Sequence, residues 1–187
     1  MRRYLRLCMR LALVAVLLLH RAAVADQTDP RLGELFVRLR AAGSPSYAAA
    51  IETEIWRIWR EIDDVDAQAL YARGTAAIAA GDMRTASAAF DLLIQLQPRF
   101  AEAWNKRATL RYMVGNYDGS IADIEQTLAL EPRHFAALSG LALILARQGH
   151  PGEAARSLKA ALAINPFLPR GQERLQRLER EAAGEPT

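Results

Sequence analysis

The chain has 187 residues, among them 36 Ala and 26 Leu, a third of the total in two strong helix formers. With 11 Gly and 8 Pro it is neither collagen-like nor Pro-rich, and its one cysteine, Cys8, excludes an internal disulfide and a Cys-rich zinc site. The formal charge of +3 comes from the first 25 residues: without their five arginines, 19 basic face 21 acidic residues. Nucleic-acid binding, which needs a clustered basic surface, is therefore not expected.

Residues 1–25 have the order of a secretory signal. Met1 to Arg10 is basic, Leu11 to Leu19 is apolar, and Ala23-Val24-Ala25 supplies small residues at the end. Nine apolar residues rise about 14 Å as a helix, too short for a bilayer core of roughly 30 Å. Cleavage is expected after Ala25, which removes Cys8 and suits an oxidising compartment such as a bacterial periplasm. Only an uncleaved leader would contact the membrane.

Residues 26–66 read as a degenerate helical hairpin. Leu32, Leu35, Phe36 and Leu39 form one helical stripe, and Gly43 and Pro45 mark a turn. Ile51, Ile55, Ile58 and Ile62 form a second stripe, widened by Trp56 and Trp59. These tryptophans either pack on Phe36 and the first following repeat or form an exposed patch, a second binding surface. Asp63, Asp64 and Asp66 read as helix caps before a metal site.

Three features then recur every 34 residues: Pro98, Pro132 and Pro166; Gly81, Gly115 and Gly149; and Leu96-Gln97-Pro98, Leu130-Glu131-Pro132 and Ile164-Asn165-Pro166. The repeats run 67–100, 101–134 and 135–168, each with two helices. In the middle one, Ala101 to Val114 is the first helix, Gly115-Asn116 the turn, and Asp118 can cap the second. Pro132 stops it. Small residues (Gly74, Ala108 and Ala142; Ala86, Ser120 and Ala154) recur where helices must approach closely. Large ones (Leu70, Trp104 and Leu138; Phe90, Ile124 and Leu158) recur where helices interlock. Residues 169–187 add a closing helix with a thin apolar stripe, Leu175, Leu178 and Ala182, and a loose tail; such a polar cap ends a stacked core in water.

This register resembles the tetratricopeptide repeat (TPR) family, with its pattern W-x2-L-G-x2-Y…A-x3-F…P. Trp104 and Pro132 carry it in the middle repeat, and Gly74, Ala86, Phe90 and Pro98 in the first. Arg107 and Arg111 depart from it, standing where the pattern has Leu and Tyr. An Arg on a packed face needs an acid, and Asp123 and Glu125 are the candidates. The resemblance implies an all-α, right-handed TPR superhelix whose first helices line a groove for a peptide or helix of a partner protein. Residues expected on that face are Gln68, Tyr71, Thr75, Glu102, Asn105, Thr109, Tyr112, Ser139, Leu143 and Arg147. Asn105 is the leading candidate, because an amide can hold a peptide backbone as donor and acceptor. Some members clamp a chaperone's terminal carboxylate with Lys and Asn in the first repeat. Tyr71 and Thr75 stand there instead, and Ala136 and Gly140 replace the basic pair of the third repeat.

The chemistry for catalysis is not apparent. His134 and His150 lie in different repeats, without Asp or Cys at triad or ligand spacing, and read as surface or capping residues. No phosphate-binding glycine loop occurs. The reading is a non-catalytic adaptor or scaffold of the bacterial envelope, with no metal or cofactor and a protein or peptide as its partner. The alternative is a periplasmic chaperone-like carrier of unfolded or translocating chains.

Overall fold

The computed structural model describes residues 29–185, and the expected signal segment lies outside them. The described residues form helices and connecting turns and no strand. In chain order the helices are α1 (Pro30–Arg40), α2 (Pro45–Trp59), α3 (Val65–Ala79), α4 (Met83–Leu96), α5 (Ala101–Met113), α6 (Tyr117–Leu130), α7 (Phe135–Arg147), α8 (Pro151–Ile164) and α9 (Gly171–Ala183).

The 34-residue signals act at helix ends. Gly81, Gly115 and Gly149 have φ of 75°, 79° and 81°, the left-handed conformation that glycine takes without strain. At each, the next residue's N–H reaches back across the turn: Asp82 to the Ala77 carbonyl, Asn116 to Arg111, His150 to Leu145. That is the Schellman closure, and it sends each second helix back along the first. Helix starts are capped by side chains. Asp64 accepts from the Ala67 N–H at 2.7 Å and Asp82 from Thr85 at 3.0 Å. Asn116, and not the expected Asp118, caps α6 by accepting from the Gly119 N–H at 3.0 Å. Asp118 sits inside the first turn, where its charge meets the helix dipole.

Packing follows the small-and-large pattern. α3 packs on α4, α5 on α6 and α7 on α8; α4 meets α5, α6 meets α7, and α9 closes against α8. A Cβ on Gly74 would sit 2.7 Å from Phe90 Cζ, so glycine is what lets the ring lie across α3. Ser120, at the equivalent crossing of the next repeat, donates its hydroxyl to the Ala108 carbonyl at 2.7 Å. α3, α5 and α7 follow one another side by side and form one face of the stack.

The hairpin of α1 and α2 forms from the stripes read in the sequence, but it docks elsewhere than expected. Trp59 is buried at 6.0 Å from Phe36, as the stripes suggest. Its other partners lie where the second repeat turns into the third, and not in the first: it stacks on His134 at 4.2 Å and 6° and meets Phe135 at 5.2 Å. α1 packs on α8, and Ile164, Phe167 and Leu168 complete the same core. Polar contacts tie the joint. Asn165 donates its amide to Glu52 at 3.0 Å, and the Arg133 guanidinium lies 4.6 Å over the Phe36 ring. The hairpin thus crosses the edge where second helices turn into first helices.

The tryptophans are therefore core and not an exposed second surface. Trp59 is buried, and Trp56 is half-buried against Trp59, His134 and Phe135. Burying such rings contributes several kcal/mol in all, at ~25 cal/mol per Å² of apolar area, which explains why the largest side chains seek the aromatic edge of the third repeat.

Candidate functional site

The residues expected on the first-helix face divide into two groups. Near the hairpin lies a buried polar cluster. Glu102, at the start of α5, is wholly buried. One oxygen accepts from the Asn105 amide at 2.8 Å and from His134 Nε2 at 3.2 Å; the other meets Lys106 Nζ at 3.2 Å and the Tyr71 hydroxyl at 3.4 Å. His134 Nδ1 accepts the Ala137 N–H at 3.2 Å, so the ring proton sits on Nε2, the side that donates to Glu102. Burial pushes Glu102 up, but the bond from His134, the nearby Lys106 charge and the bond from Asn105 outweigh it and hold the carboxyl below its usual value. Burial, with Glu102 beside it, raises the Tyr71 phenol.

His134 is thus a cap, as one reading had it, but a buried one. Its place in the repeat is that of Phe100, also buried. A polar ring can fill that place because every polar atom on it is matched. Gln68 donates to the Ile62 carbonyl, and Thr75 bonds back to Tyr71 and Ala72 carbonyls, so both serve the local chain.

Away from the hairpin the face opens into a groove of about 300 Å³ between α5 and α7. Asn105, Thr109 and Tyr112 line one wall, and Gly140, Leu143 and Ile144 the other. Ala108, Ala137 and Ile124 form its base. Met113 and Leu143 at the rim are 50% and 42% exposed. Of the expected residues, Arg147 stands near the outer end, its guanidinium 5.6 Å over the Tyr112 ring and donating to the Tyr117 hydroxyl at 3.2 Å. Ser139 lies off the groove, accepting from Arg174 at 3.4 Å. The lining residues that the expected groove face left out are the small ones, Ala136, Ala137 and Gly140 above all. Two of them had a signal in the sequence: Ala136 and Gly140 stand where clamp-bearing members place a basic pair, and had been read only as its loss.

The two arginines that break the repeat pattern are explained by their partners. Arg107 makes a two-point bond to Asp123, at 2.9 and 2.8 Å, and reaches Asp91 at 2.7 Å; Arg111 meets Asp123 at 3.0 Å. Asp123 was one of the two expected partners, and Glu125 is exposed on the other side of α6. Asp123 and then burial act most on Arg107, and the net effect raises it, so it stays charged.

Among the described residues no group of three His, Cys, Asp or Glu stands together as a metal site, and no helix is long and apolar enough to cross a membrane.

Comparisons with known proteins agree with this architecture. A family model for the tetratricopeptide repeat matches residues 105–169. A TPR repeat-containing protein of Rhizobium etli is 37% identical over 160 residues, covering 84% of this chain and 77% of that protein. Tetratricopeptide repeat protein 36 of Mus musculus is 37% identical over 111 residues, covering 55% of this chain and 58% of its own length, so the match spans little more than half of that protein. Among solved structures, the first TPR of Spaghetti (RPAP3) bound to the HSP90 peptide SRMEEVD aligns with TM-score 0.61 at 16% identity, over 66% of this chain and 98% of that one. The nine described helices are therefore an all-α TPR fold with a hairpin laid across its edge, and the chain belongs to the tetratricopeptide repeat family.

Proposed function

We propose that the protein is a non-catalytic interaction adaptor of the bacterial envelope that holds a peptide or helix of a partner protein between α5 and α7. The observation that carries this reading is the uncovered groove. Its base is apolar and its rim exposes Met113 and Leu143. Exposed apolar concavities of this kind favour a partner's apolar side chains. The similar TPR structure that carries the HSP90 peptide supports peptide binding as the mode. The leader read in residues 1–25 supports export to the periplasm, and a reporter fused after Ala25 tests it: activity confined to the cytoplasm refutes export.

The test of binding is a photo-crosslinking residue placed at Leu143 in the native cell. A short set of crosslinked proteins, lost when Gly140→Leu fills the groove, is the expected result. A broad set of unfolded chains would instead make the protein a carrier. Crosslinks unchanged by Gly140→Leu would refute the groove.

A further inference from the structure

Resting on that reading, we infer that the groove selects an uncharged apolar anchor carrying a hydrogen-bond donor, such as an indole, and rejects a carboxylate. The argument is an inventory of what the wall has left to offer. Asn105 lines the groove and is 8% exposed. One N–H of its amide donates to Glu102 at 2.8 Å, which fixes the orientation of the side chain. Oδ1 is left without a partner among the described residues. A buried acceptor without a donor is costly, so a ligand N–H or O–H that reaches it gains the full bond.

Beside Asn105 the hydroxyl donors are already spent, and Tyr112 stands farther out along the wall, beneath Arg147. The Thr109 hydroxyl donates to the Asn105 carbonyl at 3.0 Å and Ser120 to Ala108 at 2.7 Å. The cations of α5 are spent as well: Lys106 on Glu102, Arg107 on Asp91 and Asp123, Arg111 on Asp123. A carboxylate entering beside Asn105 would meet its oxygen, one remaining amide N–H and, behind them, the anion of Glu102. Arg147 has no acid partner among the described residues, but it stands at the other end, seven residues along α7 from Gly140, about 10 Å of helix rise. The groove therefore reads a segment by its inner anchor, apolar with a donor, and can meet acid only at its outer end. Size agrees: 300 Å³ with a base of alanines admits a bulky ring.

The test needs no variant to begin. Labelled peptides of the form acetyl-Gly-Ala-X-Leu-Ala-Gly-amide, with X as Trp, Phe or Glu, are titrated against the protein by fluorescence anisotropy. Trp should bind about fivefold more tightly than Phe, the worth of one hydrogen bond, and Glu should show no saturable binding. Asn105→Ala should bring Trp down to the level of Phe measured in the same variant. Gly140→Leu, whose Cβ meets only Ile124 at 3.8 Å, should abolish both while the melting curve stays cooperative. Equal binding of Trp and Phe, or Glu binding as well as Trp, overturns the donor rule and leaves the groove in place. Trp and Phe binding that persists in Gly140→Leu overturns the groove itself.

Discussion

A double-mutant cycle decides whether the N-terminal hairpin docks on the third repeat. Trp59 is buried with Phe135 at 5.2 Å and His134 stacked at 4.2 Å. Trp59→Leu removes most of that ring contact and should cost roughly 2–3 kcal/mol, at the lower end of large-to-small core changes because part of the volume remains. For a domain of this size each kcal/mol moves Tm by about 2–4 °C, so a fall of about 4–12 °C is expected. Phe135→Leu should cost about 1–2 kcal/mol. An aromatic pair contributes about 0.5–1.5 kcal/mol beyond area, so the double variant should be less destabilised than the sum by about 1 kcal/mol. The control pairs Trp59→Leu with Phe90→Leu in the first repeat, which lies in a separate core cluster. Those effects should add within about 0.5 kcal/mol. The assay is urea unfolding followed by far-UV circular dichroism, with equal m-values as the condition for comparison. Coupling to Phe90 together with additivity at Phe135 would refute the docking and place the hairpin ahead of the first repeat.

Two glycines on first helices should respond oppositely to alanine in the same assay. Gly140→Ala, with only Ile124 at 3.8 Å, should stabilise by roughly 0.5–1 kcal/mol, whereas Gly74→Ala drives a Cβ to 2.7 Å from Phe90 and should cost about 1–3 kcal/mol. Arg107→Met leaves the buried Asp123 with Arg111 alone and should cost about 3 kcal/mol, part of which Asp123→Asn in the same chain recovers; full tolerance of Arg107→Met would mean the ion pair is not buried. Glu102 has a folded pKa below its usual 4.5, so the unfolded chain binds its proton first on acidification. Its stabilising contribution is complete above pH 4.5 and falls as pH drops toward the lower folded value. Glu102→Gln should therefore flatten the loss of stability in that acid window, and an unchanged slope would refute the assignment.

Local structure was legible in the sequence, and long-range docking was not. The glycines at 81, 115 and 149 announced left-handed turns because one residue decides a turn. The Arg107–Asp123 pair was legible because a charge on a packed face needs an acid on the adjacent helix. The buried state of His134 was readable in principle from Phe100, its counterpart one repeat earlier, but a histidine after a proline looks like a surface residue when taken alone. The groove residues Asn105, Thr109 and Tyr112 followed from the family register, whereas Glu102 was assigned to the open face and lies sealed. Its burial depends on where the hairpin goes, and the stripe of Ile51, Ile55 and Ile58 says that α2 has an apolar face without saying which surface receives it.

The open end of the stack shows why the hairpin is free to leave the first repeat. In the second and third repeats the first helix meets the preceding hairpin through Ala103 and Leu110, then Ala137 and Ile144, all buried. The same register in the first repeat holds Ala69 and Ala76, both exposed, and neither α1 nor α2 packs along α3. Alanine at position 76, where the later repeats carry Leu and Ile, removes three carbons from water. At ~0.8 kcal/mol per buried CH2, a larger side chain there would favour a cover by a few kcal/mol, and a mate or misfolded contact could supply it. A face of alanines lacks that drive. The aromatic edge built from His134, Phe135 and Phe167 has it and captures Trp59, so the first repeat meets water through small side chains while the bulky hairpin seals Glu102 and leaves the groove between α5 and α7 open.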